Sequence, residues 1–443
     1  MQSRIFVVGA LLLVGCRSLD PGDDVATSAA LVAERTGIEE VWSATAASSS
    51  ADLALSADAP PLSLYDATRL ALRRHPEIRR ELERIAEARA DLVQAGLLPN
   101  PMISVSPGIP IDGMSGTPAM ASLLQSLAAL WQRPARVDAA DAALRARVLR
   151  LSDIALRHVA DVRTAFADVA NGGREVEWAE SLVAVRGEQL ALLVALRDVG
   201  EADDRQVNAA RLAWAQAEDE RLRSRERWET DRRRLSERIG VPFDDARRFA
   251  DLEAPHGVPG EDALLEWTTE RRLDVAAAFV AVGGASARSR LASLRRVPEF
   301  QAGVNYMRNF QDRDGLFPTI GLTLPILDTG AAAVAKAKAI ERGTAREADA
   351  ILWQALHEVR LAHVAWSSAE ARLERFEAEW LPAARENVAI AEAAFESGEL
   401  TRVELLEDEA RLAAVEKRRT EVERLAARAY FELERAVGGR LSP

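Results

Sequence analysis

Two stretches of this chain resemble each other and decide its fold: LVALRDVGEADDRQVNAARL (193–212) and EAAFESGELTRVELLEDEARL (392–412). In each, a run of helix-forming residues is interrupted once and then resumes as a helix rich in Ala, Leu and charged residues. The interruptions are the pairs Gly200-Glu201 and Gly398-Glu399, which lie 198 residues apart. The repetition predicts an internal duplication with two helical hairpins, each with its tip at a Gly-Glu pair.

The composition narrows the class of protein. The chain has 443 residues, of which 48% are apolar, and this is enough for a packed core. Charged residues make up 28% and aromatic residues only 5%, a balance typical of long helices and coiled coils. The net charge of −12 argues against general nucleic-acid binding, which needs a basic surface.

The first residues, MQSRIFVVGALLLVGC, predict export from the cytoplasm. The apolar run Ile5–Val14 is too short to span a bilayer but suits the core of a signal peptide, here residues 1–15. The sequence Leu-Val-Gly-Cys ending at Cys16 resembles the bacterial lipobox, which implies lipidation of Cys16. The alternative is a chance cysteine in an ordinary signal peptide. Since Arg17 rather than Asp follows, the resemblance to bacterial sorting rules favours the outer membrane.

The first half of the chain has a recognisable order of elements. Residues 16–60 have the composition of a flexible tether, which the lipidation implied for Cys16 would anchor to lipid. A helix is predicted over 62–97, with a break at His75-Pro76. Alternation at 103–106 predicts a strand, and a second, weaker strand fits within 120–131, although Ala and Leu there fit a helix as well. The helical pattern of 134–197 would then extend about 95 Å at 1.5 Å per residue.

The second half repeats this order. A helix over 262–296 is followed by two alternating stretches, 300–310 and 317–330, and by another very long helix. That helix carries an apolar seam with a seven-residue period, formed by Leu352, Ala355, Val359, Ala362, Trp366, Ala369, Leu373 and Phe376. We therefore divide the chain into repeat 1 (61–240), a linker (241–260) and repeat 2 (261–440).

The strands raise the question of closure. Four strands from one chain cannot close a membrane barrel, and open edges in lipid would leave backbone groups unsatisfied. The chain here resembles the TolC-like outer-membrane factor family over nearly all of 62–439. The resemblance rests on LSLYDATRLALRRHPEI (62–78), LLPNPMISV (97–105), LRRVPEFQAGV (294–304), LPILDTG (324–330) and the two Gly-Glu tips, in this order.

The resemblance implies a fold, a location and partners. The fold class would be mainly α with membrane β-strands: long helical hairpins form a periplasmic α-barrel, and each protomer of a homotrimer gives four strands to a transmembrane β-barrel. The function would be that of a passive exit duct of a tripartite efflux pump or a type I secretion system, in the cell outer membrane. Its partners would be a periplasmic adaptor, an inner-membrane pump and outer-membrane lipid.

The resemblance also implies site residues. Glu404, Glu407 and Asp408 lie three and four residues apart, on one face of a helix beside the second tip. Family members carry aspartates at the positions of Glu404 and Glu407, where they form acidic rings at the periplasmic entrance, a gate that attracts cations. The alternative is the solvated face of a coiled coil. The family's adaptor contacts fall on Val199, Gly200, Glu201, Ser397, Gly398, Glu399 and Leu400.

Other kinds of protein fit less well. The pair His357 and His363 has a spacing of six, not the four that places two ligands on one helix face. We find no phosphate loop, zinc spacing or nucleophile elbow, so we expect no enzyme, metal or cofactor. The main alternative is a periplasmic adaptor lipoprotein, which would have one hairpin rather than two. The exported substrate is not indicated.

Two departures from internal symmetry are visible. The first strand-to-helix junction reads LWQRPARV where the second has LDTG, which makes Pro134 a candidate first residue of the long helix. In the first tip Asn208 stands at the position of Leu406 in the second.

Overall fold

The computed structural model describes residues 18–39, 42, 60–109, 111, 116–242, 247–252 and 257–441. The predicted signal peptide and Cys16 lie outside these residues. The helices are α1 Gly22–Thr36, α2 Leu64–Arg74, α3 Pro76–Gly96, α4 Ala129–Asp198, α5 Asp204–Ile239, α6 Glu261–Arg271, α7 Leu273–Leu294, α8 Ala331–Arg375, α9 Leu381–Glu396 and α10 Arg402–Val437. The strands are β1 Met102–Pro107, β2 Ala119–Ser126, β3 Glu299–Arg308 and β4 Asp314–Thr323. This is the predicted order of elements, in which each half has a strand pair and a helical hairpin.

The chain divides into two compact units. The first consists of Met1–Val25, Glu81–Leu149 and Ala276–Ile351, and contains the strands. The second consists of Ala26–Arg80, Arg150–Val275 and Leu352–Pro443, and contains both helical tips. None of the described helices combines the length and the apolar composition that a membrane-crossing helix needs.

The four strands form one antiparallel sheet in the order β1-β2-β3-β4. Every strand joins its helix at the same end of this sheet, because α3 precedes β1, α4 follows β2, α7 precedes β3 and α8 follows β4. At the opposite end, the turn between β3 and β4 is held by Asn309, whose side-chain oxygen accepts from the backbone N–H of Gln311 and Arg313. The weaker strand predicted within 120–131 exists as β2 and ends at Ser126.

Two prolines, Pro76 and Pro134, were predicted to begin helices, and only the first does so. The predicted break at Pro76 is confirmed, because α2 ends at Arg74 and Pro76 opens α3. Pro134, however, does not begin the long helix, which starts at Ala129. Helical bonding is already in place there, since the N–H of Gln132 donates to the carbonyl of Ala128. Pro134 therefore removes only the bond to the carbonyl four residues earlier.

The helix predicted over 262–296 is two helices. Arg272 separates them, with extended backbone angles of φ −69° and ψ 118°. Its guanidinium donates to the carboxylates of Asp274 (2.6 Å) and Glu358 (2.7 Å) and to the carbonyl of Ala436 (3.1 Å). Glu358 on α8 and Ala436 on α10 fix Arg272 in place, and the sequence periodicity could not indicate these two partners because they are distant along the chain.

The predicted apolar seam of α8 is confirmed as core. Val359, Trp366 and Ala369 are buried against α6 and α10 in the second unit. The ring of Trp366 meets that of Tyr430 edge-on, with centroids 5.5 Å apart. The second long helix is not uniform, since a π-helical turn at Phe376–Trp380 joins α8 to α9. Pro382 follows at the second position of α9, where the ordinary helical hydrogen bond is impossible.

The segment predicted to be flexible contains a helix. Helix α1 lies at Gly22–Thr36, and Ser28, Val32 and Ile38 are buried in the second unit. The hydroxyl oxygens of Ser28 and Ser152 are 2.9 Å apart. The prediction of a flexible segment is therefore wrong for these residues. Small and β-branched side chains at helical spacing form a face that packs on α4. Residues 43–59 lie outside the described part.

Candidate functional site

One face of the sheet is apolar. Residues paired across neighbouring strands share a face, and the pairing Ile103-Leu123-Val304-Pro318 runs across all four strands. The side chains of Ile103 and Ile320 are 71% and 80% exposed within the chain, far more than ordinary core residues. Further members of this face are Val105, Ala121, Ala302, Tyr306, Leu316 and Leu322. We call this surface the apolar face.

The opposite face is richer in polar groups, which bond to one another. The hydroxyl oxygens of Ser104 and Ser122 are 2.6 Å apart, and Asn305 Nδ2 donates to Thr319 Oγ1 over 2.6 Å. Nearer the helices, Ser126 Oγ donates to Glu299 Oε1 over 2.7 Å. Strands β3 and β4 each have ten residues. An amphipathic sheet of this length matches the hydrocarbon thickness of a membrane, with one side suited to lipid and the other to water.

The two helical tips have the same backbone design. At the first, Gly200 has φ +85° and the N–H of Glu201 donates to the carbonyl of Leu196. At the second, Gly398 has φ +81° and the N–H of Glu399 donates to the carbonyl of Ala394. Glycine adopts this left-handed conformation without a steric penalty, which explains its place at both helix ends. The predicted equivalence of the tips is confirmed at the level of the backbone.

Each tip is followed by a capping box. Asp203 accepts from the backbone N–H of Gln206, and the Gln206 side chain returns a bond to the Asp203 N–H. Thr401 and Glu404 form the same reciprocal pair at the start of α10. The sequence analysis missed this role of Glu404, although the spacing Thr-x-x-Glu is a signature of helix beginnings. The carboxylate of Glu404 therefore caps its own helix, with Oε2 2.9 Å from the Thr401 N–H.

The two tips are joined within one chain. A small core formed by Leu193, Val207 and Ala210 also contacts Val403 of the second hairpin. Arg402 adds an ion pair across the hairpins, with Nη2 2.8 Å from Glu188 Oε1. The hairpins of the two repeats are thus packed together beside their tips.

Glu407 is bound to the other hairpin. Both Nη atoms of Arg186, on α4, donate to its carboxylate, and Gln189 Nε2 donates to it over 3.2 Å. The hydrogen bond from Arg186 is the main cause that holds the pKa of Glu407 below its usual value, against an opposing effect of burial. Sequence analysis did not find Arg186, because the two residues are 221 positions apart.

Asp408 has a third environment. It pairs with Arg411 on the next turn, Oδ1 to Nη1 at 2.9 Å. It also lines a groove of about 360 Å³ between α9 and α10, together with Trp380 and Asn387. The structure therefore brings the three predicted acids together at the start of α10 in different environments, although Arg411 also lies 3.7 Å from Glu407. Of the three, Glu404 is the one without an arginine within salt-bridge distance among the described residues.

Comparison with known families decides the assignment. Residues 264–439 match the model of the outer membrane efflux protein family. The match covers repeat 2, including the strand pair β3-β4 and the second tip. Over these residues the chain matches the TolC-like outer membrane efflux protein family, as the sequence predicted.

Solved structures share the fold along most of the chain. The outer membrane protein VceC of Vibrio cholerae has a TM-score of 0.69 and 19% identity, with 86% of this chain and 97% of that one covered. The CmeC outer membrane channel of Campylobacter jejuni has a TM-score of 0.70 and 14% identity, with 85% of each chain covered. The MtrE outer membrane channel of Neisseria gonorrhoeae, in its open state, has a TM-score of 0.66 and 17% identity, covering 85% and 89%. A comparison with curated proteins gives no match.

The family match over repeat 2 confirms the predicted function, and the shared fold of the solved structures confirms the predicted fold class. The protein is an efflux channel of the outer membrane, with a helical part and membrane strands. The family is one of passive channels. The alternative of a periplasmic adaptor is not favoured, since the family model describes outer membrane proteins and these structures are of outer membrane proteins.

Proposed function

We propose that three copies of this chain form a single passive duct from the periplasm through the outer membrane, without enzymatic activity. The amphipathic sheet carries this proposal. Its apolar face needs lipid, and β1 and β4 are edge strands whose outer N–H and C=O groups have no partner strand among the residues that the structure describes. Copies that pair β1 of one with β4 of the next satisfy these groups and close the barrel.

The assembly can be tested on protein extracted with detergent. An unboiled sample should migrate on a gel as a trimer and, when boiled, as a monomer. In planar bilayers the trimer should conduct ions without an energy source. A protein that remains monomeric and forms no pores would refute the proposal.

We further propose that the tips receive the hairpins of a periplasmic adaptor, which links the duct to an inner-membrane pump. Val199 supports this role, because its side chain is 73% exposed at the end of the first hairpin. An exposed apolar residue at a conformationally fixed tip suits a protein contact. Val199→Cys should cross-link to the adaptor in cells, whereas Arg342→Cys, on the exposed surface of α8, should not. Equal cross-linking of both would contradict the assignment.

The carboxylates beside the second tip form the proposed cation-attracting gate. We assign the exposed charge to Glu404, and we assign to the Glu407–Arg186 pair the role of holding α10 against α4. Repeated three times around an entrance, such acids raise the local concentration of cations. Asp408, which faces Trp380 across the groove, would be the least exposed to the lumen of the three.

The remaining proposal concerns the anchor at Cys16, which lies outside the described residues. We propose that acylation of Cys16 tethers the chain to the outer membrane while the sheet provides the main membrane contact. Cys16→Ser should lose the lipid and still insert and form trimers. A fully soluble Cys16→Ser protein would show that the sheet does not hold the chain in the membrane.

A further inference from the structure

The first unit contains a cavity of about 400 Å³ where the strands join the helices. Both repeats contribute to its wall. Repeat 1 supplies the end of β2 and the first turns of α4, and repeat 2 supplies the segment between α7 and β3 and the end of β4. The polar residues of the wall are Ser126, Gln132, Arg136, Arg295, Glu299 and Thr323. A cavity of this volume is large enough to hold a small organic molecule.

The strand residues of the wall lie on the polar face of the sheet. Glu299 and Thr323 are paired across β3 and β4, and Ser126 is paired with Gln301, which is on the same side of β3 as Glu299. Phe300 points to the opposite, apolar face. The cavity therefore lies on the side of the sheet that suits water. In a barrel whose apolar face meets lipid, this side is the lumen.

The wall carries excess positive charge with an unused hydrogen-bond donor. Arg136 donates through Nη2 to the carbonyl of Leu97 over 3.3 Å, but its Nε is buried without an acceptor among the described residues. Arg295 is exposed and has no ion pair with any residue that the structure describes. The single acid of the wall, Glu299, accepts from the hydroxyl of Ser126. A buried guanidinium N–H without an acceptor costs free energy, so an anion that accepts from it is stabilised.

The remaining part of the wall is largely apolar. Pro99, Val297, Pro298 and Pro325 line the cavity beside the polar groups. A hydrocarbon or aromatic body placed against these side chains is removed from water, which favours binding. The cavity therefore combines two features that suit one kind of ligand, a cationic part for an acidic group and an apolar part for the body that carries it.

We propose that this cavity binds amphipathic organic anions on their way through the lumen. Arg136 and Arg295 contact the carboxylate, sulfonate or phosphate group, because a guanidinium presents its N–H groups in a planar geometry that matches such oxygens. The apolar body lies against Val297 and the prolines of the wall. This inference rests on the duct proposed above, and it names a class of solute that the duct carries.

The test uses the full-length channel in nanodiscs of neutral phosphatidylcholine, with naphthalene-2-sulfonate as the probe. Isothermal titration calorimetry measures binding, and the signal from empty nanodiscs is subtracted. The wild-type channel should bind the probe, and the double variant Arg136→Gln with Arg295→Gln should bind it at least about tenfold more weakly, because hydrogen bonds to a charged group are lost. The matched control is Arg342→Gln with Arg346→Gln, two exposed arginines on α8 of the same unit, and it should bind as the wild type does.

Two further ligands define the class. Inorganic sulfate should compete only weakly with the probe, because it lacks the apolar body, and 1-naphthylmethylammonium should not compete, because its charge is positive. Competition by sulfate at the concentration of the probe would make this a site for simple anions and would overturn the inference. Equal competition by the ammonium compound would overturn it as well, since the arginines would then have no role.

The variants provide the remaining outcomes that would contradict the proposal. No binding to the wild type, equal binding by the cavity variant and the wild type, or an equal loss in the control would each remove the arginines from a specific site. If the double variant does not assemble, Arg295→Gln alone is compared with the wild type and should still bind more weakly, because Arg295 is exposed and has no ion pair. Conduction of the same samples in planar bilayers without the probe tests the duct separately, so its failure is distinguished from failure of the anion site.

Discussion

Arg163 of α4 and Glu434 of α10 form a buried ion pair that joins the two repeats, with Nη1 2.6 Å from Oε2. Their side chains are only 14% and 9% exposed. The same guanidinium donates through Nη2 to the carbonyl of Thr36, the last residue of α1, over 3.1 Å. One side chain therefore holds together both repeats and the N-terminal helix in the second unit.

The first prediction concerns this pair. Glu434→Gln should destabilise the chain by about 3 to 5 kcal/mol, because the charge of Arg163 would remain buried without its counter-ion. Arg145→Gln is the control, since it removes an exposed pair with Asp141 on one helix and should cost less than about 1 kcal/mol. Chemical denaturation in detergent measures both. Similar losses for the two variants would show that the buried pair has no special role.

The second prediction concerns the gate. Glu404→Gln combined with Glu407→Gln should reduce cation preference in planar bilayers at low salt, because two carboxylates disappear from every chain. Arg186→Gln should act in the opposite direction, since it leaves Glu407 without its main neutralising partner. Both effects should shrink as salt increases and screening shortens. Unchanged selectivity in assembled channels would remove these acids from the gate.

The third prediction concerns acid stability. Burial is the main cause that lowers the pKa of His158 to about 3, and its ring lies 3.9 Å from that of His75. An unfolded histidine titrates near ~6.5, so between these values the unfolded state binds more protons than the folded one. The contribution of His158 is therefore complete above the unfolded pKa and is lost as pH falls, by at most about 1.4 kcal/mol per pH unit.

The histidine effect can be isolated by substitution. In His158→Gln the fall of unfolding free energy between neutral pH and pH values near the folded pKa should be shallower than in the wild type. His357→Gln, at an exposed position of α8, serves as the control and should keep the wild-type slope. An unchanged slope in His158→Gln would mean that other groups cause the acid sensitivity.

The fourth prediction concerns the tips. Gly200→Ala and Gly398→Ala should each destabilise the local turn by about 1 to 2 kcal/mol, because a side chain at positive φ meets its own backbone. Gly343→Ala should do the reverse and stabilise by about 0.5 to 1 kcal/mol, since this glycine lies inside α8 with open space around it. Hydrogen exchange at the two tips and within α8 measures both signs. Protection that is unaltered at the tips would contradict the strain argument.

The fifth prediction concerns the apolar face. Ile320→Arg should impair insertion by about 2 to 4 kcal/mol if it lies near the bilayer midplane, because it places a charge against lipid. Thr319→Arg, one residue away on the opposite face, should insert more readily, since it points to the polar side. The fraction of each variant recovered in the membrane as a trimer is the measure. Equal recovery would mean that the face is not exposed to lipid.

Much of the fold could be predicted from sequence because its signals are local. The break at Pro76 follows from the missing proline N–H, and the strands follow from alternation over a few residues. The tips follow from glycine at the end of a helical run, and the duplication shows the same design twice. The seam of α8 was found because its period is built into the helix itself. The role of Glu404 in a capping box was equally local and could have been found from Thr401.

Side-chain partners distant along the chain were not predictable. Arg186 pairs with Glu407 and Arg163 pairs with Glu434, which lie 221 and 271 residues away along the chain. Spacing along the sequence does not distinguish these acids from the many others in the chain. The break at Arg272 and the packing of α1 depend in the same way on contacts between separate segments. The sequence by itself determined the order of helices, strands and tips, because each is set by neighbours within a few turns. Only the tertiary structure decided which charges meet, because ion pairing depends on distance in space and on burial, not on separation along the chain.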